Sequence, residues 1–257
     1  MGLCRAPAED RMLQQECTYD DVLRSEFQTV LRAWAAMPEN ETRKAIDIDS
    51  LASGACVEPT FKKTRNKKGT VSEIVCFPYT IDITPIIWEK VILPWGFFNE
   101  ARVVTIEAPP PPSPSYRPTQ LPVSLMIHED LVELLNAVDE QLLSTSSLGG
   151  ESVLSVQEDG DKFIMDAQMV FAGSRQTYMS IASDEGYISG CGWDVIAPFM
   201  YPFQNLRSSK SKMSISPTGV WSRDNKKGVT WRVDCILLLP GPEREEEEWE
   251  DPLMFTD

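Results

Sequence analysis

The spacing of apolar residues along the chain predicts two amphipathic helices. Thr18 and Asp21 have the spacing of a capping box, and the apolar residues that follow recur at intervals of three and four until Met37-Pro38. They are Val22, Leu23, Phe27, Val30, Leu31 and Trp34. A second helix is predicted from about Glu129 to Leu143, closed by the segment 144–150. Its apolar face consists of Leu131, Leu134, Leu135, Val138 and Leu142, and its polar face of Glu133, Asp139 and Glu140.

Most other apolar segments alternate with polar residues, as β-strands do. One strand is predicted over 73–83, with Val75, Phe77, Tyr79, Ile81 and Ile83 on one side. Shorter strands are predicted over 163–171 and 177–182, and a hairpin around the polar turn 223–228. In its second strand, Val229, Trp231, Val233 and Cys235 are predicted to share a face. Two helices among many strands, without regular alternation, predict an α+β fold with mixed or antiparallel sheets.

Two segments differ in composition from the rest. Residues 107–122 contain seven prolines and are predicted to form an exposed loop or linker. Residues 240–257 carry eight acidic residues against one arginine and are predicted to be a flexible acidic tail. The sequence therefore divides into a flexible N-terminus (1–17), two α+β halves (18–106 and 123–239), the proline-rich segment between them, and the tail.

Composition excludes several classes of protein. The 257 residues are 42% hydrophobic and 25% charged, which is ordinary for a globular chain that folds without disulfides or metals. The region 81–98 is apolar but is interrupted by charges and prolines, so it is not a membrane span. Six cysteines without paired spacing, and no secretory signal, predict reduced thiols inside the cell. Cys76 and Cys235 have apolar neighbours and are interpreted as core residues.

Two residues are the candidates for enzyme chemistry, and neither has the expected surroundings. His128 is the one histidine and is predicted to start the second helix. Cys191 lies in a glycine-rich stretch, 186–194, that is predicted to be a turn and strand edge, because Asp194 is acidic and a reactive thiol needs an electropositive neighbour. Nor is there a paired spacing of zinc ligands. We therefore expect no catalytic residue, no cofactor and no metal, and an enzyme using His128 or Cys191 is the third hypothesis.

The segment 62–68 places five positive charges within seven residues of a chain whose net charge is −15. They are Lys62, Lys63, Arg65, Lys67 and Lys68. Such a run suits a nuclear import receptor or an anionic surface, and the alternative is a solvated hairpin turn that keeps a sheet edge soluble. Two further basic groups, 207–212 and 223–227, join the same surface only if the fold brings them together.

The two ends of the chain hold further candidates. Trp249, Leu253 and Phe255 give the acidic tail apolar anchors for docking on a basic partner or on the chain's own basic turns. The alternative is a solubilising terminus. Gly2 and Cys4 are lipidation candidates, although the myristoylation motif requires Ser or Thr where this chain has Ala6.

Tyr201, Pro202 and Leu206 resemble the Tyr-Pro-x-x-x-Leu late-domain motif with which viral structural proteins recruit the host Alix adaptor for budding. An ordinary strand terminus is the alternative, because proline suits that position as well.

With its proline-rich segment, basic turns, acidic tail and budding-like motif, the chain resembles a matrix protein of a negative-strand RNA virus, of the rhabdovirus kind. The resemblance implies an α+β matrix fold, a structural protein of the virion that self-associates, bridges nucleoprotein to an anionic membrane surface and visits the host nucleus and cytoplasm. Its implied partners are itself, nucleoprotein, a host import receptor and an Alix-type budding adaptor, without sequence-specific binding of nucleic acid.

The net negative charge departs from that pattern, so membrane contact would fall to local basic patches or to an apolar loop such as 86–88 or 94–98. The alternative function is an intracellular regulatory adaptor that docks host proteins through the acidic aromatic tail and the proline-rich loop.

Overall fold

A computed structural model describes residues 23–37, 44–46, 60–65, 71–77, 79–93, 102–103, 117–173, 175–183, 186–195 and 210–239. Helix α1 covers residues 23–35. The first seven strands are β1 (Lys44–Ile46), β2 (Thr60–Arg65), β3 (Val71–Cys76), β4 (Tyr79–Ile83), β5 (Ile87–Leu93), β6 (Arg102–Val103) and β7 (Gln120–Ile127). A 3₁₀ turn (Glu129–Leu131) and helix α2 (Val132–Thr145) follow. The remaining strands are β8 (Glu151–Val153), β9 (Val156–Asp159), β10 (Lys162–Val170), β11 (Tyr178–Ser183), β12 (Gly186–Cys191), β13 (Lys210–Arg223) and β14 (Lys226–Leu239).

The long antiparallel hairpin of β13 and β14 is the central pair of the sheet. Arg223 pairs with Lys226 across a two-residue turn, Asp224-Asn225, in which both residues have positive φ (52° and 61°). Asn and Asp tolerate this conformation, which matches the twist of the flanking strands. The predicted hairpin is confirmed. Its strands have 14 residues each, and its turn is shorter than the predicted turn 223–228.

All the described strands join one sheet of 14 strands. On the outer edge of β13, β4 pairs at residues 213–215 and β3 at residues 219–221. On the outer edge of β14, β8, β10 and β11 pair in parallel, and β10 continues the sheet through β7 to β5. Strands from both predicted halves therefore share the sheet, and β7 begins inside the range 107–122. The result is a mixed α/β fold, strand-dominated with few helices, consistent with the predicted α+β class.

The two helices cover opposite faces of the sheet. Helix α2 buries Leu135, Val138, Leu142 and Leu143 in the main core, which also contains Trp231 and Val233 of β14. Helix α1 forms a second cluster, in which five of its apolar side chains pack against Cys235, Leu237 and Leu239. They are Leu23, Phe27, Val30, Leu31 and Trp34. Helical structure over 23–35 is confirmed, while the predicted capping box lies outside the described residues.

The predicted orientation of Cys235 was wrong because β14 contains a β-bulge. Ser214 pairs with Cys235 and the next residue, Ile215, with Val233, so Asp234 is an extra residue in β14. An extra residue reverses the alternation of side chains beyond it. Val229, Trp231 and Val233 accordingly face the main core as predicted, whereas Cys235 faces α1.

The segment 73–83 is two strands rather than the single predicted one. Pro78, which has no N–H to donate, lies between β3 and β4 in the sequence. The predicted inward residues Val75, Phe77, Ile81 and Ile83 are all buried in the main core. Cys76, between two of them, points outward and is exposed, which corrects its interpretation as a core residue.

The predicted position of Asp139 was also wrong. The sequence placed it on the polar face of the second helix, but its side chain lies in the interior. Its side chain is completely buried and accepts hydrogen bonds from the Ser155 N–H (2.6 Å) and the Trp231 indole N–H (3.0 Å). Burial raises the pKa of the Asp139 carboxyl, and these hydrogen bonds oppose the shift.

Candidate interaction surface

His128 is the residue that begins the 3₁₀ turn, as predicted. Its Nδ1 accepts a hydrogen bond from the backbone N–H of Asp130 (3.3 Å) and lies 3.1 Å from the Asp130 carboxylate. Ile86, Asp161 and Lys162 help to line a shallow depression beside it. These contacts account for the histidine as a helix-start residue.

Cys191 is the last residue of β12 and pairs with Tyr178 of β11. The next residue, Gly192, has φ 96°, where the chain turns, and Asp194 forms an ion pair with Arg117 (2.7 Å). The strand and the turn after it agree with the sequence prediction, whereas residues 193–195 are helical, which the sequence did not predict. Within the described ranges, no group of three or more His, Cys, Asp or Glu side chains is placed to hold a metal ion.

The basic run begins in a strand rather than in a turn. Lys62, Lys63 and Arg65 belong to β2, whose described partner is β3, with Lys62 opposite Ile74 and Lys63 opposite Glu73. The side chain of Lys62 is exposed. Lys67 and Lys68 lie outside the described residues, in the segment that connects Arg65 to Val71.

The fold brings this run and one of the other basic groups to the same end of the sheet. Strand β3 pairs with β13 through Ser72 and Trp221, so the end of β2 lies beside the turn that joins β13 to β14. Lys210 and Lys212 are at the opposite end of β13, about 40 Å away at the usual rise per residue. The groups at 62–65 and 223–226 therefore meet, whereas Lys210 and Lys212 do not join them. The remainder of the third group, 207–209, lies outside the described residues.

We name this surface the basic hairpin face and define it by Lys62, Ile74, Trp221, Arg223 and Lys226. These residues lie on the adjacent strands β2, β3, β13 and β14. The register places all of them on the side of the sheet opposite to the main core. Ile74 is 41% exposed, and both lysines are exposed. Arg223 is exposed and forms a surface ion pair with Asp224 (3.1 Å).

A glycine fixes the aromatic residue of this face. Gly228 pairs with Trp221, and a Cβ atom at position 228 would lie 2.6 Å from the indole ring. Only glycine lets the ring lie this close to the neighbouring strand. The half-buried Trp221 thus provides a flat apolar surface between the basic side chains.

Lys227, although it belongs to the basic turn, has a structural role. Its Nζ donates to the carbonyl oxygens of Leu143 (2.8 Å) and Leu148 (3.4 Å), where α2 ends. The buried Glu73 anchors the same segment by accepting hydrogen bonds from the hydroxyls of Ser146 (2.7 Å) and Ser147 (2.5 Å). The basic hairpin face is therefore held on a rigid part of the fold.

A buried polar cluster lies farther along the same side of the sheet, and the sequence analysis missed it. Arg232 pairs with Asp234 (2.5 Å), which also accepts a hydrogen bond from the Thr80 hydroxyl (3.1 Å). Burial and the Asp234 charge raise the pKa of the neighbouring Cys235 thiol well above its usual range, so the thiol is unreactive. Arg232 and Asp234 lie within the apolar second half of β14, and these two charged residues were the signal for this cluster.

No family model matches this sequence. No curated protein matches it either.

Several predicted sites fall outside the described residues. They are Gly2 and Cys4, the late-domain-like Tyr201, Pro202 and Leu206, and the tail residues Trp249, Leu253 and Phe255. Of the suggested apolar loop 86–88, Ile86 is 54% exposed, whereas Trp88 is buried and donates its indole N–H to Ser211 (2.9 Å). Among the described helices, none has the length and apolar character needed to cross a membrane.

Proposed function

We propose that this protein is a non-enzymatic structural and assembly protein, similar in role to a viral matrix protein. It self-associates and bridges nucleoprotein to an anionic membrane surface or to host factors. The basic hairpin face is its contact surface for anionic partners. The acidic segment 240–257 and the proline-rich segment 107–122 serve as docking segments for proteins.

The observation that supports this proposal is the concentration of exposed positive charge on one face of a chain whose net charge is −15. A chain with this net charge is repelled by phosphate-rich surfaces at long range. At physiological salt the Debye length is about 8 Å, so a local cluster of cations acts on a surface that touches it while distant carboxylates are screened. Binding through this face is therefore short-ranged and salt-sensitive.

The chemistry of the face suits a polyanion rather than one small ligand. Lys62, Arg223 and Lys226 lie on three different strands, β2, β13 and β14, and each is exposed rather than directed into a cavity. Ile74 and Trp221 supply apolar contacts between the charges. Such a surface matches repeated phosphates on a lipid headgroup layer or on ribonucleoprotein and carries no means of reading a base sequence.

Flotation and pelleting of the intact chain test the proposal. We expect the protein to float with vesicles that contain phosphatidylserine, to pellet with ribonucleoprotein at low salt, and to be released from both at high salt. Vesicles of phosphatidylcholine alone are the control and should not retain it. A strictly monomeric protein that binds neither anionic vesicles nor ribonucleoprotein at low salt would exclude the proposal and leave the regulatory adaptor as the better account.

A further inference from the structure

We infer that the acidic segment 243–251 of one copy of this chain docks on the basic hairpin face of a second copy, which joins the copies head to tail. This inference rests on the self-association in the proposed function and names the two surfaces that make the contact.

Charge complementarity identifies the occupant of the face. The segment 243–251 holds seven carboxylates and one arginine, and the basic hairpin face presents three exposed cations to it. Two exposed carboxylates compete with the segment: Asp224, which pairs with Arg223, and Glu151 of β8, which lies opposite Lys226. An exposed pair of this kind is weak and is readily exchanged.

The apolar residues also match. Trp249 lies within the acidic segment, and the face carries the exposed Ile74 and the half-buried Trp221. Burial of tryptophan is a common source of binding energy at interfaces, whereas charges at the rim set specificity and salt dependence. The segment thus offers an aromatic anchor surrounded by negative charge to an apolar patch surrounded by positive charge.

The position at which the tail leaves the sheet favours docking on the face of a second copy over docking on the face of the same chain. Strand β14 starts at Lys226, on the face, and ends at Leu239, about 43 Å farther along the strand. The glutamates 245–248 follow Leu239 by six to nine residues, and nine residues span at most about 32 Å even when fully extended. Arg223 and Lys226 of its own face are therefore beyond the reach of these glutamates, whereas the same two residues of a second copy are not.

Two lysines near the start of the tail are already engaged. Lys210 is opposite Leu239 in the hairpin, and Lys212 lies over the ring of Phe27, with 5.6 Å between Nζ and the ring centroid. Both lysines have further interactions within the fold. A contact between two different surfaces joins copies head to tail, into a ring where the rotation closes and otherwise into an open chain that lengthens with concentration.

Two full-length variants with complementary defects provide the test. The face variant carries Lys62→Glu, Arg223→Glu and Lys226→Glu and keeps the tail. The tail variant keeps the face and replaces the six glutamates of 243–251 by glutamine and Asp251 by asparagine. A control variant with Arg24→Glu, Arg32→Glu and Lys162→Glu makes the same change in charge at exposed positions elsewhere.

Analytical ultracentrifugation at low salt gives the readout. We expect the wild type and the control to form assemblies that grow with concentration, and each defective variant alone to associate at least about tenfold more weakly. An equimolar mixture of the face and tail variants should form a one-to-one complex, because one supplies the tail and the other the face. A mixture that stays monomeric, or variants that assemble like the wild type, would overturn the inference. A wild type that is monomeric at every concentration would overturn it as well.

Vesicle binding by the tail variant separates this inference from the proposed function. If the tail variant binds phosphatidylserine vesicles but does not pair with the face variant, the head-to-tail contact is wrong and the proposed function stands. If the two variants pair but no chain binds vesicles or ribonucleoprotein, the contact is real and the proposed function is wrong.

Discussion

Ser72 of β3 lies opposite Trp221 of β13, and this one pairing brings two separate basic segments to the same end of the sheet. The segments are more than 150 residues apart in the sequence, at 62–65 and 223–227. Their meeting places exposed lysine and arginine side chains from a strand and from a hairpin turn around one indole ring.

The adjacent lysines 226 and 227 are predicted to have different roles. Lys227→Gln replaces the ammonium group that donates to carbonyl groups at the end of α2 with a shorter, neutral amide, and we expect it to lower the free energy of unfolding by about 1 kcal/mol. Lys226→Gln should weaken binding to anionic vesicles and leave the free energy of unfolding unchanged, because that side chain is exposed. Urea denaturation and vesicle flotation on both variants measure the two effects. Equal effects of the two substitutions on vesicle binding would contradict a binding role for Lys226 and a structural role for Lys227.

Asp139 is predicted to make the stability of the fold depend on pH. Its pKa is raised in the folded state from an ordinary value of 3.8, so between that value and the raised one the folded chain binds more protons than the unfolded chain. The free energy of unfolding therefore falls as the pH rises through that window. In Asp139→Asn the titrating group is absent, so the stability of the wild type relative to this variant should decline as pH rises. If the difference in free energy of unfolding between the wild type and Asp139→Asn is constant with pH, the pKa of Asp139 is not raised in the folded state.

Truncation of the same residue tests its hydrogen bonds. Asp139→Ala removes the acceptor of the Ser155 backbone N–H and one acceptor of the Trp231 indole N–H. We expect a loss of about 2 to 4 kcal/mol in the free energy of unfolding, since buried donors without acceptors are costly and a cavity is left. Chemical denaturation at neutral pH provides the value, and a loss below about 0.5 kcal/mol would show that these bonds contribute little.

The two cysteines in apolar sequence contexts are predicted to differ in reactivity. Cys76 is exposed and should react with a maleimide in the native protein. Cys235 is completely buried with a raised pKa, so it should react only after unfolding in denaturant. Mass spectrometry of peptides labelled before and after denaturation identifies each thiol. Rapid native labelling of Cys235 would show that α1 does not cover it in solution.

The local parts of the fold were predictable from the sequence. The turn Asp224-Asn225 has a strong hairpin signature, and the periodic apolar residues of α1 and α2 indicated both helices. His128 was placed correctly at the start of a helical turn, because capping depends on neighbouring residues alone. These features need no information from distant parts of the chain.

The features that depend on distant pairing were not predictable. The bulge at Asp234 reflects how β14 pairs with β13, and it moved Cys235 to the other face of the sheet. Asp139 was assigned to a polar face because its buried partners, Ser155 and Trp231, come from elsewhere in the chain. The basic hairpin face has the same origin, because its composition was visible in the sequence and its assembly was not.

The measurement that tests the central claim most directly is the affinity for phosphatidylserine vesicles at increasing salt. It compares the wild type, the face variant (Lys62→Glu, Arg223→Glu and Lys226→Glu) and the control variant with the same charge change at Arg24, Arg32 and Lys162. Each basic residue near an anionic surface contributes about 1 kcal/mol, so the face variant should bind at least about tenfold more weakly at low salt. The control variant should stay close to the wild type, and the difference should vanish at high salt. Equal losses in both variants, or an unchanged affinity in the face variant, would contradict the claim that the basic hairpin face makes the contact.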